Sequence, residues 1–189
     1  ESPVLTVATP YSVAEGATIV GTVTTTDADA GATTSYSLTG TDGGLFTINS
    51  DGDIVFATAP DFESGRSNAY SLNVVVSDGD NSDIEAIIVN VTNTNDNIPV
   101  FSTSAFTNIE ENQTVVGTAL STDDDNNSLD YSIGALFGAD DALFSVDSDG
   151  VVAFIAAPNF ENPQDNGGNN IYNIIITVGD GFHTVDQAH

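Results

Sequence analysis

Large apolar residues occupy every second position in several segments of the chain. The segment 70–76 has this pattern, and Ile87, Val89 and Val91 repeat it further along. A period of two places alternate side chains on opposite faces, which is typical of a β-strand with one buried face. No segment keeps a 3.6-residue apolar period over three turns. The pattern therefore predicts an all-β protein.

A turn signal lies inside the apolar segment Phe46–Phe56. Ser50, Asp51 and Gly52 stand at its centre. Because glycine adopts a positive φ without steric cost, these residues predict a β-hairpin. The acidic residues of this turn, and those of the matching segment 147–150, are interpreted as turn formers and not as ligands.

The sequence repeats itself once. The segments 45–52 and 143–150 match, as do 59–63 and 157–161, 20–22 and 116–118, and 77–79 and 179–181, at offsets of 96 to 102 residues. A period near 100 residues predicts two β-sandwich domains. The join lies at the polar segment Asn93–Pro99, and we place the domains at 1–97, with the linker, and at 98–189. The second lacks a counterpart of Ile84–Asn97, so we expect its last strand to be truncated.

The charge is strongly one-sided. The chain carries 28 acidic residues and one basic residue, Arg66, for a formal net charge of −27. Nucleic acid and anionic membrane surfaces would repel such a chain, so neither is an expected partner. It has no apolar run near 18 residues and no cysteine, which argues against membrane insertion and excludes disulfides. This self-repulsion favours the binding of divalent cations.

Acidic residues recur at corresponding places in the two repeats. The first repeat has Glu15, Asp27, Asp29, Asp61, Glu63 and Asp78, and the second has Glu111, Asp123, Asp125, Glu161 and Asp180. Calcium takes six to eight oxygen ligands in irregular geometry, so separate loops can supply them. A soft-metal site is disfavoured, because the chain has no cysteine and only His183 and His189, which we expect at the surface.

These elements resemble the cadherin repeat family. Asn95-Asp96-Asn97-Ile98-Pro99-Val100-Phe101 is similar to the cadherin linker run Asp-x-Asn-Asp-Asn-x-Pro-x-Phe, and Asp61-Phe62-Glu63 resembles its Asp-Arg-Glu element. Phe62 and Phe160 replace the arginine and are expected to pack in the core. The resemblance implies two tandem seven-stranded Greek-key β-sandwiches of the immunoglobulin-like, cadherin type. It also implies about three Ca²⁺ ions at the junction between repeats.

The resemblance further implies the ligands of that junction: Glu15, Asp61, Glu63, Asn95, Asp96, Asn97, Asp123, Asp125 and Asp180. Seven of these are carboxylates, whose mutual repulsion the ions would offset. Two departures from the family pattern, Asn93 and Asn159, replace aspartates and could weaken ion binding. Asp27, Asp29 and Asp78, and at the other end Glu111 and Glu161, would complete sites only with neighbouring repeats.

The function predicted from the sequence is a calcium-dependent adhesion or spacer module of a large extracellular, cell-surface protein, a bacterial adhesin in our interpretation. Its partners would be other cadherin-like repeats, homophilic or heterophilic. The alternative is a carbohydrate-binding module that takes surface polysaccharide, for which Tyr11, Tyr36 and Tyr131 are candidates. Tyr36 and Tyr131 recur in both repeats and are expected in the core. No catalytic constellation is predicted, so we expect no enzymatic activity and no catalytic residues.

Overall fold

The computed structural model describes residues 1–29, 33–134 and 140–189. The chain separates into unit 1, Glu1–Thr94, and unit 2, Asn95–His189. Strands dominate both units, with two short 3₁₀ turns at Gly43–Leu45 and Asp141–Leu143 and no α-helix in the described ranges. Within these ranges, no helix has the length and apolarity needed to cross a membrane. The linker residues 95–97, expected with the first repeat, belong by their contacts to unit 2.

Unit 1 is built from nine strand segments. They are β1 (Val4–Thr6), β2 (Tyr11–Ala14), β3 (Ile19–Thr22), β4 (Thr24–Thr26), β5 (Ser35–Thr39), β6 (Phe46–Ile48), β7 (Asp53–Phe56), β8 (Ala69–Ser77) and β9 (Ser82–Thr92). One sheet has the order β2-β9-β8-β5, another has β3-β7-β6, and β1 pairs with β4. β1 and β2 are parts of one interrupted strand, as are β3 and β4, which leaves the seven strand positions that were predicted.

The core of unit 1 lies between its two sheets. Tyr70, Leu72, Val74 and Val76 of β8 are at most 8% exposed, and the inward residues of β9 are at most 5% exposed. Phe46 and Phe56 from the opposite sheet contact Tyr70 through ring centroids 5.7 and 5.3 Å away. The buried faces predicted from the period-two pattern are confirmed, because alternate side chains of a pleated strand point to one side.

The predicted hairpin is confirmed as well. β6 and β7 pair antiparallel, with Phe46 opposite Phe56, and Gly52 adopts φ +85° between them. Asn49 accepts the backbone N–H groups of Asp51 and Asp53 through its side-chain oxygen, each at 2.9 Å. Asp147 makes the corresponding bonds in unit 2. The acidic residues of these turns therefore form turns, as interpreted.

Unit 2 repeats this architecture with shorter strands. They are β10 (Val100–Phe101), β11 (Val115–Thr118), β12 (Ser121–Thr122), β13 (Asp130–Ile133), β14 (Phe144–Val146), β15 (Val151–Phe154), β16 (Ile175–Gly179) and β17 (Thr184–Ala188). Its sheets have the orders β11-β15-β14 and β13-β16-β17, and β10 pairs with β12. The predicted pair of tandem β-sandwiches is confirmed.

The two cores correspond residue by residue. Phe144 and Phe154 lie 4.3 Å apart between ring centroids, as do Phe46 and Phe56. Tyr172 stands 5.8 and 5.0 Å from them, in the place of Tyr70. The repeated sequence thus encodes the same aromatic cluster twice.

Two expectations about unit 2 were wrong. Phe62 packs against the core of unit 1 as predicted, but Phe160 is 65% exposed. His189, expected at the surface, stacks on Phe106 with ring centroids 4.7 Å apart. Burial of the ring lowers the pKa of His189. His189 is partly covered because its backbone exchanges two hydrogen bonds with Ile174, which places its ring against Phe106.

Candidate metal centre

Glu15 organises three loops at one end of unit 1. It directly follows β2, which pairs in parallel with β9. The last pair of this ladder is Ala14 with Thr92, so Glu15 lies next to the end of β9. Its carboxylate accepts the backbone N–H groups of Phe62 and Thr94, each at 2.7 Å, and the Thr94 hydroxyl at 3.2 Å. Glu15 is only 7% exposed. A carboxylate held by this many donors is fixed in position, as a metal ligand needs to be.

Glu63 lies beside Glu15. Carboxylate oxygens of the two residues approach within 4.8 Å, and two unit charges at 4–5 Å near a protein surface repel by roughly 3–4 kcal/mol. Burial raises the pKa of Glu15, but the hydrogen bonds from backbone N–H groups and from Glu63 lower it further than burial raises it. Glu63 can donate only if it carries a proton. The pair therefore attracts a positive charge, which a proton or a cation can supply.

Asp61 is placed differently from these two residues. Asp61 is exposed, and the Ser64 hydroxyl donates to the backbone carbonyl of Asp61 at 2.7 Å. Asp61 does not belong to the group of closely approaching carboxylates that contains Glu15 and Glu63. Its assignment as a ligand stays a prediction that rests on the family motif.

Thr94 belongs with Glu15 and Glu63, although no sequence motif predicted a role for it. It contributes a backbone N–H and a hydroxyl to Glu15. Any residue can supply a backbone N–H, so no pattern of residue types marks this position. We call Glu15, Glu63 and Thr94 the Glu15 cluster.

The linker residues form a second cluster within unit 2. Asp125, 7% exposed, accepts the backbone N–H groups of Asp96 and Asn97 at 3.0 and 2.8 Å. The Asn97 amide donates to Asp125 at 3.2 Å and to Asp96 at 3.1 Å. Carboxylate oxygens of Asp96 and Asp125 approach within 4.8 Å. We call the predicted ligands of this region the linker cluster: Asn95, Asp96, Asn97 and Asp125. Hydrogen bonds to Asp125 hold Asp96 and Asn97 in place.

Two oxygens in this region test whether the residues fit a cation. The side-chain oxygen Oδ1 of Asn95 and Oδ2 of Asp123 are shielded from solvent and accept no hydrogen bond in the described part of the chain. A buried polar atom without a partner costs about 1–3 kcal/mol, and its presence indicates a ligand or water. The two partnerless atoms are a carboxylate oxygen and an amide oxygen, which are the kinds of ligand that calcium takes. The residues present therefore fit Ca²⁺.

Asp180 is held by its own turn. Its carboxylate accepts the backbone N–H groups of Phe182 and His183 at 2.7 and 2.5 Å, and contacts His183 Nδ1 at 3.1 Å. Burial would raise the pKa of Asp180, but the hydrogen bonds from His183 and Phe182 outweigh it and hold the pKa at about 2. The Asn95 amide donates to the Asp180 carbonyl at 3.4 Å. Asp180 thus remains charged beside the linker cluster.

The residues predicted for neighbouring junctions repeat these local geometries. Asp27 accepts the backbone N–H of Asp29 at 2.8 Å, and Asp78 accepts those of Asp80 and Asn81. At the other end, Glu111 accepts the backbone N–H of Phe160 at 3.1 Å, as Glu15 does with Phe62. Asn159 accepts the N–H of Glu161 at 3.0 Å. Their occupancy by ions stays a prediction.

Fold and clusters together define a class of protein: tandem immunoglobulin-like β-sandwich repeats whose loops carry grouped carboxylate and amide side chains. Residues 9–92, nearly all of unit 1, match the family model described as Cadherin domain. The chain is 35% identical over 133 residues to Protocadherin Fat 1 of Homo sapiens, and 33% identical over 128 residues to Protocadherin Fat 4 of Homo sapiens. These matches cover 64% and 62% of this chain but 3% and 2% of those proteins.

Solved structures have the same fold. The EC1-2 segment of human Protocadherin-24 superposes with a TM-score of 0.77 at 21% identity, covering 99% of this chain and 92% of that one. Drosophila N-cadherin EC1-4 gives 0.75 at 21% identity, with 100% and 48% covered. Mouse Cadherin-23 EC22-24 gives 0.66 at 26% identity, with 99% and 62% covered. The predicted resemblance to the cadherin repeat family is confirmed: the family model matches residues 9–92 of unit 1, and both units share the fold of solved cadherin repeats.

Proposed function

We propose that this chain is a calcium-dependent adhesion or spacer module, in which Ca²⁺ bound by the residues on both sides of the peptide bond Thr94–Asn95 stiffens the link between the repeats. The observation that carries the proposal is the pair of partnerless oxygens on Asn95 and Asp123, next to carboxylates that already crowd one another. Thr94 bonds to Glu15 in unit 1, and the next residue, Asn95, begins the linker cluster.

The residues of the chain would divide the task. Glu15 and Glu63, with Asp61, would supply ligands from unit 1, and Asp123, Asp125 and Asp180 would supply them from unit 2. Asn95, Asp96 and Asn97 would contribute side-chain or backbone oxygens. Bound calcium would supply positive charge that offsets the repulsion among these carboxylates. About three ions are expected by resemblance to the family.

The consequence for function is mechanical. Without cations, repulsion among the carboxylates favours separation of the repeats and a loose link; with them, the link resists bending. Such repeats would project a binding domain from a cell surface, or would bind other cadherin-like repeats themselves. We propose an extracellular location on this basis. The expected bacterial origin stays a prediction, since the curated relatives named above are human proteins.

The tyrosines named as candidates give no support to carbohydrate binding. Sugar recognition commonly uses exposed aromatic side chains. All five tyrosines of the chain belong to or pack against the two cores: Tyr11, Tyr36 and Tyr70 in unit 1, and Tyr131 and Tyr172 in unit 2. The prediction that Tyr36 and Tyr131 lie against the core is confirmed. We therefore keep adhesion as the single proposed function.

Calcium titration by calorimetry tests the proposal. Extracellular calcium modules bind with dissociation constants of about 10⁻⁴–10⁻³ M, so about 10 mM Ca²⁺ should stabilise the chain by roughly 1.4–2.7 kcal/mol for each ion bound. Asp96→Ala should lower the number of ions bound or raise their dissociation constant about tenfold. Small-angle scattering should show a broader distribution of shapes after chelation.

Asp124→Ala is the matched control. It removes the same charge from an exposed residue in the loop that carries Asp123 and Asp125. Its calcium isotherm should equal that of the parent chain. The proposal is wrong if the parent chain melts at the same temperature in calcium and in excess chelator, or if Asp96→Ala and Asp124→Ala bind calcium equally well.

A further inference from the structure

One face of the four-stranded sheet of unit 1 carries no charged residue. The face consists of every second residue of Ser35–Thr39, Ala69–Ser77 and Ser82–Thr92, together with Ser12 and Ala14. All of these residues lie in the described ranges, and each is exposed or half-buried. They are serine, threonine, asparagine, alanine, valine and isoleucine. We call this surface the uncharged face.

The acidic residues of the same strands lie outside this surface. The residues of β8 that alternate with the uncharged face are buried in the core, so the face points away from the core. Asp83 and Glu85 of β9 pair with those buried residues and therefore belong to the other side of the sheet. Asp42 accepts the Ser71 backbone N–H at 2.7 Å. Backbone N–H groups of a strand lie in the plane of the sheet, so Asp42 stands at its edge.

The middle of the uncharged face is apolar. Cross-strand pairing sets Ser37, Val75 and Ile84 in one row, and Ile88 follows further along β9. Ile84 is 57% exposed and Ile88 is 47% exposed. Depletion of charged residues around exposed apolar side chains is the composition that marks the core of a protein interface.

Unit 2 shows that the fold does not by itself exclude charge from this face. There Asp186 of β17 pairs with Thr177 of β16, and the Thr177 hydroxyl donates to the Asp186 carboxylate at 2.6 Å. Counted from the matching segments 77–79 and 179–181, the equivalent pair in unit 1 is Ile84 with Val75. The absence of charge is therefore specific to unit 1.

The charge of the chain decides which partner suits the uncharged face. A basic partner would be drawn to the surfaces that carry the 28 acidic residues. Sugar recognition commonly uses exposed aromatic side chains, and this face has none. An acidic polypeptide is repelled by the charged surfaces and can approach only where charge is missing. A second copy of this chain, with the same formal charge of −27, is such a polypeptide, and its own uncharged face is the surface that fits.

The dimensions of the face determine how strong such a contact can be. Four strands about 4.8 Å apart, with a rise of about 3.4 Å per residue, give the sheet an area of about 500 Å². Two such faces packed together would bury about 1,000 Å² in total. This area is below that of a stable complex and in the range of weak, transient contacts.

We propose that unit 1 forms a weak symmetric dimer with unit 1 of a second copy, in which the two uncharged faces pack against each other. A two-fold axis through the face brings the aliphatic centres of both copies together. The dimer supplies the surface for the adhesive contact between repeats in the proposed function. It needs no calcium, so the two proposals can fail separately. Many such weak contacts between surfaces that carry many copies add up to firm adhesion.

Analytical ultracentrifugation of the 189-residue chain tests the proposal, in calcium and in excess chelator. The chain should dimerise in both, with a dissociation constant above about 1 µM. Raising the NaCl concentration from about 0.05 to about 0.5 M should tighten the dimer several-fold, because salt screens the repulsion between copies while the contact itself contains no ion pair. An interface built from opposite charges would weaken instead.

Ile84→Asp tests the face itself. The equivalent residue of unit 2 is Asp186, so a sheet of this kind accepts aspartate there. The variant should dimerise at least about tenfold more weakly, because it sets like charges against each other across the interface. Ile19→Asp is the matched control: it adds the same charge at a 74% exposed residue of the other sheet and should leave dimerisation unchanged.

Nuclear magnetic resonance of the parent chain gives a readout that does not depend on how a variant folds. The methyl signals of Val75, Ile84 and Ile88 should shift as the concentration rises, and those of Ile19 should not. The proposal is overturned if the parent chain stays monomeric up to about 1 mM at high salt, if salt weakens the dimer, if the two variants dimerise alike, or if the methyl signals of the face do not shift. A monomer that binds calcium overturns this proposal alone, and a dimer that binds no calcium overturns only the proposed calcium dependence.

Discussion

Replacing Glu15 by alanine separates the structural role of this carboxylate from its proposed role as a ligand. The change removes the acceptor of the Phe62 and Thr94 backbone N–H groups, each bonded at 2.7 Å. A donor left without its partner costs about 1–3 kcal/mol when buried. Phe62 is half-buried and Thr94 is exposed, so water can reach these donors in part. Two donors would cost about 2–6 kcal/mol if both were fully buried. Access of water and relief of the repulsion from Glu63 both reduce this cost, so we expect a loss near the lower end, about 2–3 kcal/mol for unit 1.

Glu111→Ala is the matched control for this change. Glu111 occupies the same place in unit 2 but is exposed, and its carboxylate accepts the Phe160 N–H at 3.1 Å. Exposed positions of this kind usually change stability by no more than about 0.5 kcal/mol. The two variants remove the same chemical group, so the difference between them measures burial and hydrogen bonding.

Calorimetry in excess chelator is the assay, because it removes any contribution from bound calcium. A loss of about 2–3 kcal/mol should lower the melting temperature of a unit of this size by roughly 10–20 °C. Hydrogen exchange should show faster exchange at the Phe62 and Thr94 amides in Glu15→Ala. Equal destabilisation by the two variants would refute the argument, as would unchanged exchange at these two amides.

Two further predictions concern other parts of the units. Gly52→Ala should destabilise unit 1 by more than about 2 kcal/mol, because positive φ costs 1–2 kcal/mol in any other residue and its Cβ would lie 2.4 Å from the Val23 carbonyl oxygen. Gly79→Ala, at φ +103° with nothing near its Cβ, should show the backbone cost alone; equal melting temperatures would contradict this. Hydrogen bonding from the Asn169 N–H, despite opposing burial, lowers the pKa of Asp165 from its ordinary 3.8. Its stabilisation is therefore complete above that pH and is lost as the pH falls through the lowered value, so Asp165→Asn should flatten the acid limb of denaturation curves measured between about pH 2 and 5.

Much of the fold could be predicted because its signals are local. Period-two alternation in β8 and β9 follows from the geometry of a pleated strand, whatever lies around it. The hairpin at Gly52 depends on a few adjacent residues that favour its backbone angles. The repeat adds support, since the same pattern of apolar positions occurs twice and forms the same pair of packed phenylalanines in each unit.

The candidate site was predictable only in part. The linker motif identified Asp96 and Asn97, and the wider resemblance to the family identified Asp125; hydrogen bonds hold these three residues together in unit 2. Thr94 was not predicted, because one of its two hydrogen bonds to Glu15 comes from its backbone N–H, which any residue can supply. Asp61 matches the family motif, yet it stands exposed and outside the pair formed by Glu15 and Glu63.

The chain by itself determined the strand pattern, the division into two repeats and the family, because all three depend on the order of residue types. Tertiary structure alone decided that Phe62 is covered while Phe160 is exposed, and that His189 stacks on Phe106. Equivalent residues acquire different environments because the residues that pack against them come from distant parts of the sequence. Burial is a property of neighbours in space, and a repeated motif does not specify which neighbours will be present.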